Sequence, residues 1–591
     1  MELLVMNPMD GACADRLVPS SCIEGLFEML GLDLNTSARM ASAHQSYRVL
    51  LVSLNELVRF SLENFFDGSN VTIFPVPNNE DGRKLLKEEK FDAVIRDIGS
   101  DPDSALQMRR IVRDQDAMLP ILFITPLFYW SNARLIDQIV EDPHSYYIPE
   151  NVDRKFMVSK LRQVIGACQA ENSLHQLMNK ITQNWFLASL LQQAMLPPWV
   201  YFSDSYEFSC LYKPFSRVSG DLFEWMPLDE TSALFIFGDV SGHGTHSALA
   251  MSAIQSFMTQ TIMRDKKRAA NPHLIASDIN DFFCQHLRNI VYMCSLIAYI
   301  DFKNNCLCFL NAGYMDIICV DADTGEVEDI NPRNKGCLPL GMVKDTVYTR
   351  KDTVEYRFSD SSVFLFCSDG LMDLSKDRNG EKYMDMGMAK KLASILIKDT
   401  RKEEKSISLP FRFYHSLEQF GYVHPQDDLS LVLVRKPRLT EREYVFSCRV
   451  PADKDAVDQI CQKAAAFVSK HYYGDEKISV DAELLLEEYL VNVILHGLNE
   501  YEKLNEYIAV KLCAEESELK IMIWDHGKEW NGLFMPPELA ERSLDELNEE
   551  MSPSGRGVPI ISRIASQISR QRYCGLNESV FVIPRKTTAN A

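Results

Sequence analysis

The spacing of hydrophobic positions changes several times along the chain, and each change marks a different kind of element. Val49-Leu50-Leu51-Val52 is a short apolar run, the pattern of a buried strand. Leu57, Phe60, Leu62 and Phe65 follow as an apolar-periodic helix. Val71–Phe74 reads as a strand, Arg83–Glu89 as a helix, and Asp92–Ile95 as a strand that ends at Asp97. Pro120–Thr125 is a further buried strand. Strands alternating with helices over residues 46–152 predict a doubly wound parallel sheet. Its functional crevice lies at the carboxyl ends of the strands, where Ser53, Asp97 and Thr125 fall.

From 153 to 198 the period becomes helical. Leu174, Met178, Ile181, Trp185, Ala188, Leu191 and Met195 are separated by threes and fours, close to a heptad seam. Leu196-Pro197-Pro198 ends the pattern. Such a stripe packs on a neighbour in its own chain or on a second copy. The punctuation before a new domain favours a signalling helix that forms a homodimer. Residues 1–45 are irregular, with one short helix around Ile23–Leu30. They lack the continuous apolar stretch of a signal peptide.

In residues 199–437 short β runs end repeatedly at aspartates. Val218-Ser219-Gly220-Asp221 is one, and Ala233–Asp239 running into Val240-Ser241-Gly242-His243-Gly244 is another. Val363–Ser368 leads to Asp369-Gly370, and Gln426-Asp427-Asp428 opens the last strand, Leu429–Val434. A lone Asp-Gly after a strand is a routine turn signal. Four carboxylates converging at sheet edges are a different matter, because they cannot all stay ionised without a cation. Hard oxygen donors with few His or Cys select Mg²⁺ or Mn²⁺. Two such ions can activate a water against phosphorus. His243 and His246 lack a third nitrogen or sulfur at zinc spacing and read as helix N-terminal residues.

The segments "VSGDLFEW", "GDVSGHGTHSALAM", "NAGY", "LPLGM", "CSDGLMDL" and "QDDLSLVLV" resemble the metal-dependent serine/threonine phosphatases of the SpoIIE type. The resemblance implies an αββα sandwich with two Mn²⁺ or Mg²⁺ ions and phosphoserine or phosphothreonine protein substrates. It makes Asp221, Asp239, Asp369 and Asp427 or Asp428 metal ligands, with the Val240 carbonyl, and gives Asp239 a catalytic part. Ser219 and Tyr314 depart from the family pattern without removing a carboxylate.

Residues 441–586 form a further α+β unit. Ala482–Leu495 is a strong helix on which Glu488, Asn492 and His496 recur every four residues, so they share a face. A solvated face is one explanation. Leu519–Trp524 is a strand ending at Asp525-His526-Gly527, and a polar stretch leads to Ser554-Gly555-Arg556-Gly557 before another helix. Backbone N–H groups at such a start suit phosphate. "EEYLVNVILHG", "DHG" and "SGRGVPII" resemble the histidine-kinase-type ATPase fold, in the form of the serine kinases that act as anti-sigma factors. The resemblance implies Mg²⁺-ATP, with Asn492 on the Mg²⁺ and Glu488 orienting or deprotonating a serine. Asp525 would meet the adenine amine, and Gly527, Gly555, Arg556 and Gly557 the phosphates. His496 reads as a packed helix histidine.

The first sheet resembles a response-regulator receiver, with Asp97 at the phospho-acceptor and Thr125 at the switch position. Ser53-Leu54 replaces the acidic pair that binds Mg²⁺, and Ile148 replaces the lysine before Pro149. The domain is therefore read as degenerate. A strand-end carboxylate with no phosphoryl chemistry is the other reading of Asp97.

Composition bounds the rest. The 591 residues carry 62 Lys and Arg against 83 Asp and Glu, a net charge of −21, which disfavours nucleic acid as the main partner. Hydrophobic residues at 46% and charged residues at 25% exclude wholesale disorder. The longest apolar stretch, near Pro120–Trp130, falls short of a membrane span. Fifteen scattered cysteines without a CxxC pair suit buried thiols in a cytoplasmic protein. The overall expectation is a multidomain α/β and α+β chain: a degenerate receiver, a linker helix, a phosphatase sandwich and an α/β-sandwich ATPase domain. Together these resemble bacterial partner-switching regulators. The implied partners are a STAS-domain anti-sigma-factor antagonist and a sigma factor.

Overall fold

The computed structural model describes residues 46–99, 101–126, 133–242, 244–287, 290–331, 336–377, 382–402, 405–437, 444–498, 506–529 and 557–585. The irregular residues 1–45, His243, Gly555 and Arg556 lie outside them. The chain divides into two units, Met1–Thr182 and Gln183–Ala591.

In the first unit five parallel strands stand in the order β2-β1-β3-β4-β5. They are β1 (Tyr47–Val52), β2 (Val71–Val76), β3 (Ala93–Asp97), β4 (Ile121–Thr125) and β5 (Ser145–Pro149). Helices α1 (Glu56–Phe66), α2 (Asn79–Glu88), α3 (Pro102–Gln115) and α4 (Ala133–Val140) connect them. Separate apolar clusters cover the two faces of the sheet, as a doubly wound fold requires. Helix α2 starts four residues before the predicted Arg83 because the Asn78 side chain accepts the Asp81 N–H and caps it. Helix α5 (Arg154–Met195) runs 42 residues without a break.

The second unit begins with two antiparallel sheets. One has the order β14-β11-β10-β9-β8 and the other β13-β12-β15-β16-β7-β6. The strands are β6 (Val200–Phe202), β7 (Glu207–Lys213), β8 (Asp221–Pro227), β9 (Ser232–Val240), β10 (Met293–Asp301) and β11 (Cys306–Ala312). They continue with β12 (Ile318–Asp321), β13 (Val327–Glu328), β14 (Val354–Arg357), β15 (Ser362–Cys367) and β16 (Leu429–Arg435). Alternate residues of facing strands meet between the sheets, where the Phe237 and Phe366 rings stack 4.5 Å apart. The other face of β9 presents Leu234 and Ile236 to Met251, Ile254 and Ile279 of helices α6 (Thr245–Arg264) and α7 (Pro272–His286). Helices α8 (Met386–Lys402) and α9 (Leu409–Gln419) cover the second sheet, completing an αββα sandwich.

The C-terminal sheet is antiparallel, in the order β17-β18-β19-β21-β20. Its strands are β17 (Val445–Pro451), β18 (Tyr507–Ala514), β19 (Glu518–Asp525), β20 (Gln567–Tyr573) and β21 (Leu576–Pro584). One face packs on α10 (Lys454–His471), α11 (Glu476–Asn492) and α12 (Gly557–Ile564). The other face is not left to solvent. Ala509, Cys513, Met522, Trp524 and Leu576 join the core of the central sandwich.

Buried charge crosses this shared core. Glu578 is 2% exposed, and its carboxylate accepts from Arg412 at 2.6 Å, Ser408 at 2.5 Å and the Trp524 indole at 3.0 Å. Lys405 lies 3.5 Å away. Glu207 is likewise paired with Arg435, while Lys511 stands 3.6 Å from its second oxygen. Removing one member of such a set strands the others without water. Glu578→Ala should therefore destabilise the central and C-terminal domains together by about 3–5 kcal/mol, seen as a lower midpoint of one shared transition in denaturant unfolding. A shift confined to the C-terminal domain would contradict the shared core.

Candidate active sites

The central sandwich brings the predicted aspartates to one end. Asp221 opens β8 and Asp239 sits one residue before the end of β9, and the ladder pairs them directly across the two strands. Asp369 follows β15, and Asp427 and Asp428 precede β16, the neighbour of β15. The two loops touch so closely that a methyl group on residue 370 would lie 1.9 Å from the Asp428 carbonyl oxygen. Only glycine fits there.

Burial and mutual repulsion act together on these carboxylates. Asp221, 2% exposed, is held well above the usual range by burial first and then by Asp239, Asp428 and Asp369, although the Ser430 hydroxyl donates to it at 2.7 Å. Asp239 is pushed up to about 7 by burial, then by Asp369, Asp427 and Asp428. Asp369 rises through burial, Asp427 and Asp373. Among the described residues no Lys or Arg forms an ion pair with Asp221, Asp239, Asp369 or Asp427. The donor set is oxygen only, which fits Mg²⁺ or Mn²⁺. Val240, whose carbonyl was expected to join them, is the last residue of β9 and fully buried. Tyr314 stands beside the cluster, its hydroxyl raised by burial and then by Asp221.

Two details add to the sequence reading. It left Asp427 or Asp428 as a ligand, and the surroundings of the two differ. Both Asp428 oxygens accept backbone N–H groups, from Phe215 at 2.7 Å and Gly220 at 2.9 Å, so this residue ties the loops together. The charge of Asp427 acts on Asp239, Asp369 and Asp373, while that of Asp428 acts on Asp221 and Asp239. Asp373 itself was missed. Burial and Asp427 raise it too, and its signal was its place four residues after Asp369 in "CSDGLMDL". His246 lies exposed in the first turn of α6.

In the C-terminal domain Glu488 and Asn492 are one turn apart on α11, both half-buried. A methyl group on Gly557, the first residue of α12, would lie 2.6 Å from the Glu488 carboxylate and the Asn492 amide nitrogen. The start of α12 is thereby brought onto this pair. Burial and then Glu487 raise the Glu488 carboxyl. Asp525 is fully buried and accepts from the Gly527 N–H at 2.9 Å, Asn577 at 2.7 Å and Tyr489 at 3.0 Å. Of about four lone-pair positions on a carboxylate, one is left. His496 is exposed rather than packed, because α11 gives way to a π turn over Val493–Gly497 that breaks the every-fourth column.

In the first unit Asp97 is 8% exposed and bonded by the Ser53 hydroxyl at 2.7 Å and the Gly99 N–H at 3.0 Å. The Thr125 hydroxyl donates to the Ile148 carbonyl at 3.2 Å. The crevice has a neutral donor where a cation site would need carboxylates.

Two family models match the chain. Stage II sporulation protein E (SpoIIE) matches residues 229–437, and the histidine kinase-like ATPase domain matches residues 450–579. The chain carries a SpoIIE-type phosphatase domain followed by a histidine-kinase-like ATPase domain. The phosphoserine phosphatase RsbP of Bacillus subtilis is 24% identical over 176 residues, which are 29% of this chain and 41% of RsbP. The chain thus spans less than half the length of that relative. The RsbU and RsbW domains of a Mycobacterium tuberculosis protein align at 15% identity over 67% of this chain and 99% of theirs, with a TM-score of 0.35. The PP2C domain of SpoIIE from Bacillus subtilis, with a fragment of its regulatory domain, aligns at 15% identity over 40% of this chain and 64% of that one, with a TM-score of 0.32.

Asp239 titrates near 7 in the folded domain and near 3.9 in an unfolded chain. The metal-free phosphatase domain is therefore most stable below about pH 4 with respect to this group and loses that contribution as pH rises through about 7. Asp239→Asn should stabilise the metal-free protein at pH 7.5 by on the order of 1–2 kcal/mol, while Mn²⁺ should raise the melting temperature of the wild type but not of the variant. Equal Mn²⁺ shifts in both would count against the cluster.

Proposed function

We propose that this chain is a bifunctional regulator that removes and adds a phosphate on a serine of a STAS-domain anti-sigma-factor antagonist, and so sets sigma-factor availability by partner switching. The observation that carries the reading is the set of Asp221, Asp239, Asp369 and Asp427 gathered at one end of the sandwich with no Lys or Arg partner among the described residues. Two Mg²⁺ or Mn²⁺ ions held by these carboxylates would supply an activated water and neutralise phosphate charge. The chain's own part is to fix the carboxylates at strand ends, with the Val240 carbonyl beside them. Asp428 and Gly370 hold the two contributing loops in register. Asp239, raised by burial and by its neighbouring carboxylates when no cation is present, would give up that proton on binding the ions. The match to the SpoIIE model and the likeness to a phosphoserine phosphatase support serine as the target.

The kinase half rests on Glu488, Asn492 and Gly557. Glu488, with its carboxyl raised by burial, suits a general base for a serine hydroxyl, and Asn492 suits the Mg²⁺ of Mg²⁺-ATP. Gly527 and the start of α12 would face the phosphates, and the family resemblance adds Gly555 and Arg556, which lie outside the described residues. Asp525 offers its remaining lone pair to the adenine amine. The other reading keeps the phosphatase and makes the ATPase domain a binder that sequesters a sigma factor or antagonist without transferring phosphate.

Residues exposed along α5, among them Leu174, Met178, Ile181 and Leu191, support a homodimer through that helix. No helix among the described residues is long and apolar enough to cross a membrane. We place the protein in the cytoplasm, acting on protein partners and not on nucleic acid.

A phosphate-affinity gel on a STAS partner separates the readings. Full-length protein with Mg²⁺-ATP should shift the partner up, and desalting followed by Mn²⁺ should return it. Glu488→Ala should abolish the first step and Asp239→Asn the second, each by 100-fold or more on the scale of ~10²–10⁴ for a catalytic acid or base. Loss of the upward shift in the wild type, with the Mn²⁺ step intact on pre-phosphorylated partner, would establish the binder instead.

A further inference from the structure

A second donor cluster lies where the ATPase domain meets α9 of the phosphatase domain, away from the aspartates. His415 and Glu418 are three residues apart on α9, so they share a face. Cys574 reaches them from the turn between β20 and β21. The Glu418 Oε2 atom is 3.4 Å from the Cys574 Sγ and 3.9 Å from the His415 Nδ1, and one donor atom from each residue lies within 4.8 Å of the others. Tetrahedral zinc, with bonds of about 2.0–2.3 Å, holds its donor atoms roughly 3.3–3.6 Å apart. The pocket between the three needs only a small closure to match.

The turn itself makes the cysteine unusual. Tyr573 pairs with Leu576, so Cys574 and Gly575 are the two turn residues, with φ of +47° and +95°. Such hairpin turns favour Asn-Gly or Asp-Gly, because a β-carbon is strained at positive φ. Here a thiol takes the asparagine position and lies against a carboxylate and an imidazole. The surroundings leave those donors in place. Lys213 Nζ stands 3.7 Å from Glu418 Oε1, the other carboxylate oxygen, and itself bonds the Tyr414 hydroxyl at 3.0 Å. The His415 Nε2 is 3.0 Å from the Gln419 amide. That contact is from the amide nitrogen, which donates to Nε2, so ligation through Nδ1 moves the ring proton to Nε2 and turns the Gln419 amide to accept it.

We propose that His415, Glu418 and Cys574 bind a thiophilic divalent cation of the zinc class, which clips the ATPase hairpin to the phosphatase domain. Sulfur, nitrogen and one carboxylate select zinc over the Mg²⁺ or Mn²⁺ that suits the all-oxygen aspartate cluster. Binding replaces the thiol proton, which passes to solvent, and leaves a fourth position for water. The simpler alternative is a hydrogen-bonded triad in which the thiol donates to Glu418.

Cobalt distinguishes them, because a thiolate on Co²⁺ gives a near-ultraviolet charge-transfer band that oxygen ligands do not. Metal-stripped full-length protein in excess Mg²⁺, which fills the aspartate site, is titrated with Co²⁺. One equivalent should develop the band, and Zn²⁺ should bleach it. Cys574→Asn should lose the band while keeping its fold, since asparagine suits the turn. His415→Gln should weaken binding at least tenfold, and Asp239→Asn should leave the band intact. No band in the wild type, or a band that survives Cys574→Asn, would overturn the site.

Discussion

A buried carboxylate has to be matched by positive charge or hydrogen-bond donors, or else take up a proton, and two sets of acids in this chain stand at opposite ends of that constraint. Glu207 and Glu578 are each 2% exposed, and each is matched by arginine and lysine side chains. Those pairs tie the sandwich to the C-terminal sheet. Among the described residues Asp221, Asp239, Asp369 and Asp427 have no Lys or Arg partner, and repulsion adds to burial in raising Asp221, Asp239 and Asp369. The same physics that locks the domain junction leaves the other end of the sandwich suited to a cation from outside.

The junction brings the two sites within one framework. Adjacent strand residues point to opposite faces of a sheet. On β19, Trp524 enters the shared core while Asp525 faces Tyr489 and Asn577. On β21, Glu578 reaches Arg412 while Asn577 holds Asp525. His526, the next residue in the "DHG" segment, lies 5.0 Å from the Trp199 ring and 5.4 Å from that of Phe411. Burial alone would lower its pKa, but the Glu506 carboxylate at 2.8 Å raises it. The loop expected to meet adenine is thus packed on the phosphatase domain through His526.

Much of this was legible in the sequence because it is local. A β run ending in Asp-Gly states where a carboxylate stands, and the alternating strands and helices of the first unit gave its parallel sheet. What escaped depends on contacts between distant segments. Nothing near Asp428 says that Phe215 and Gly220 will claim its oxygens, so it could not be told from Asp427. The alternation of Ala509, Met522 and Trp524 marks an inward face without saying that a second domain covers it. His496 was misjudged because a π turn shifts the helical register, and a count of fours cannot foresee that. The receiver's weakness was visible in advance: Ser53 replaces an acid, and the structure puts its hydroxyl on Asp97.

The central claim is that the aspartate cluster is a cation site. Calorimetric titration of Mn²⁺ into the metal-stripped full-length protein tests it most directly. The account predicts two ions bound, with binding lost in Asp369→Asn and preserved in Asp97→Asn. Absence of binding, or binding unchanged in Asp369→Asn, would contradict it.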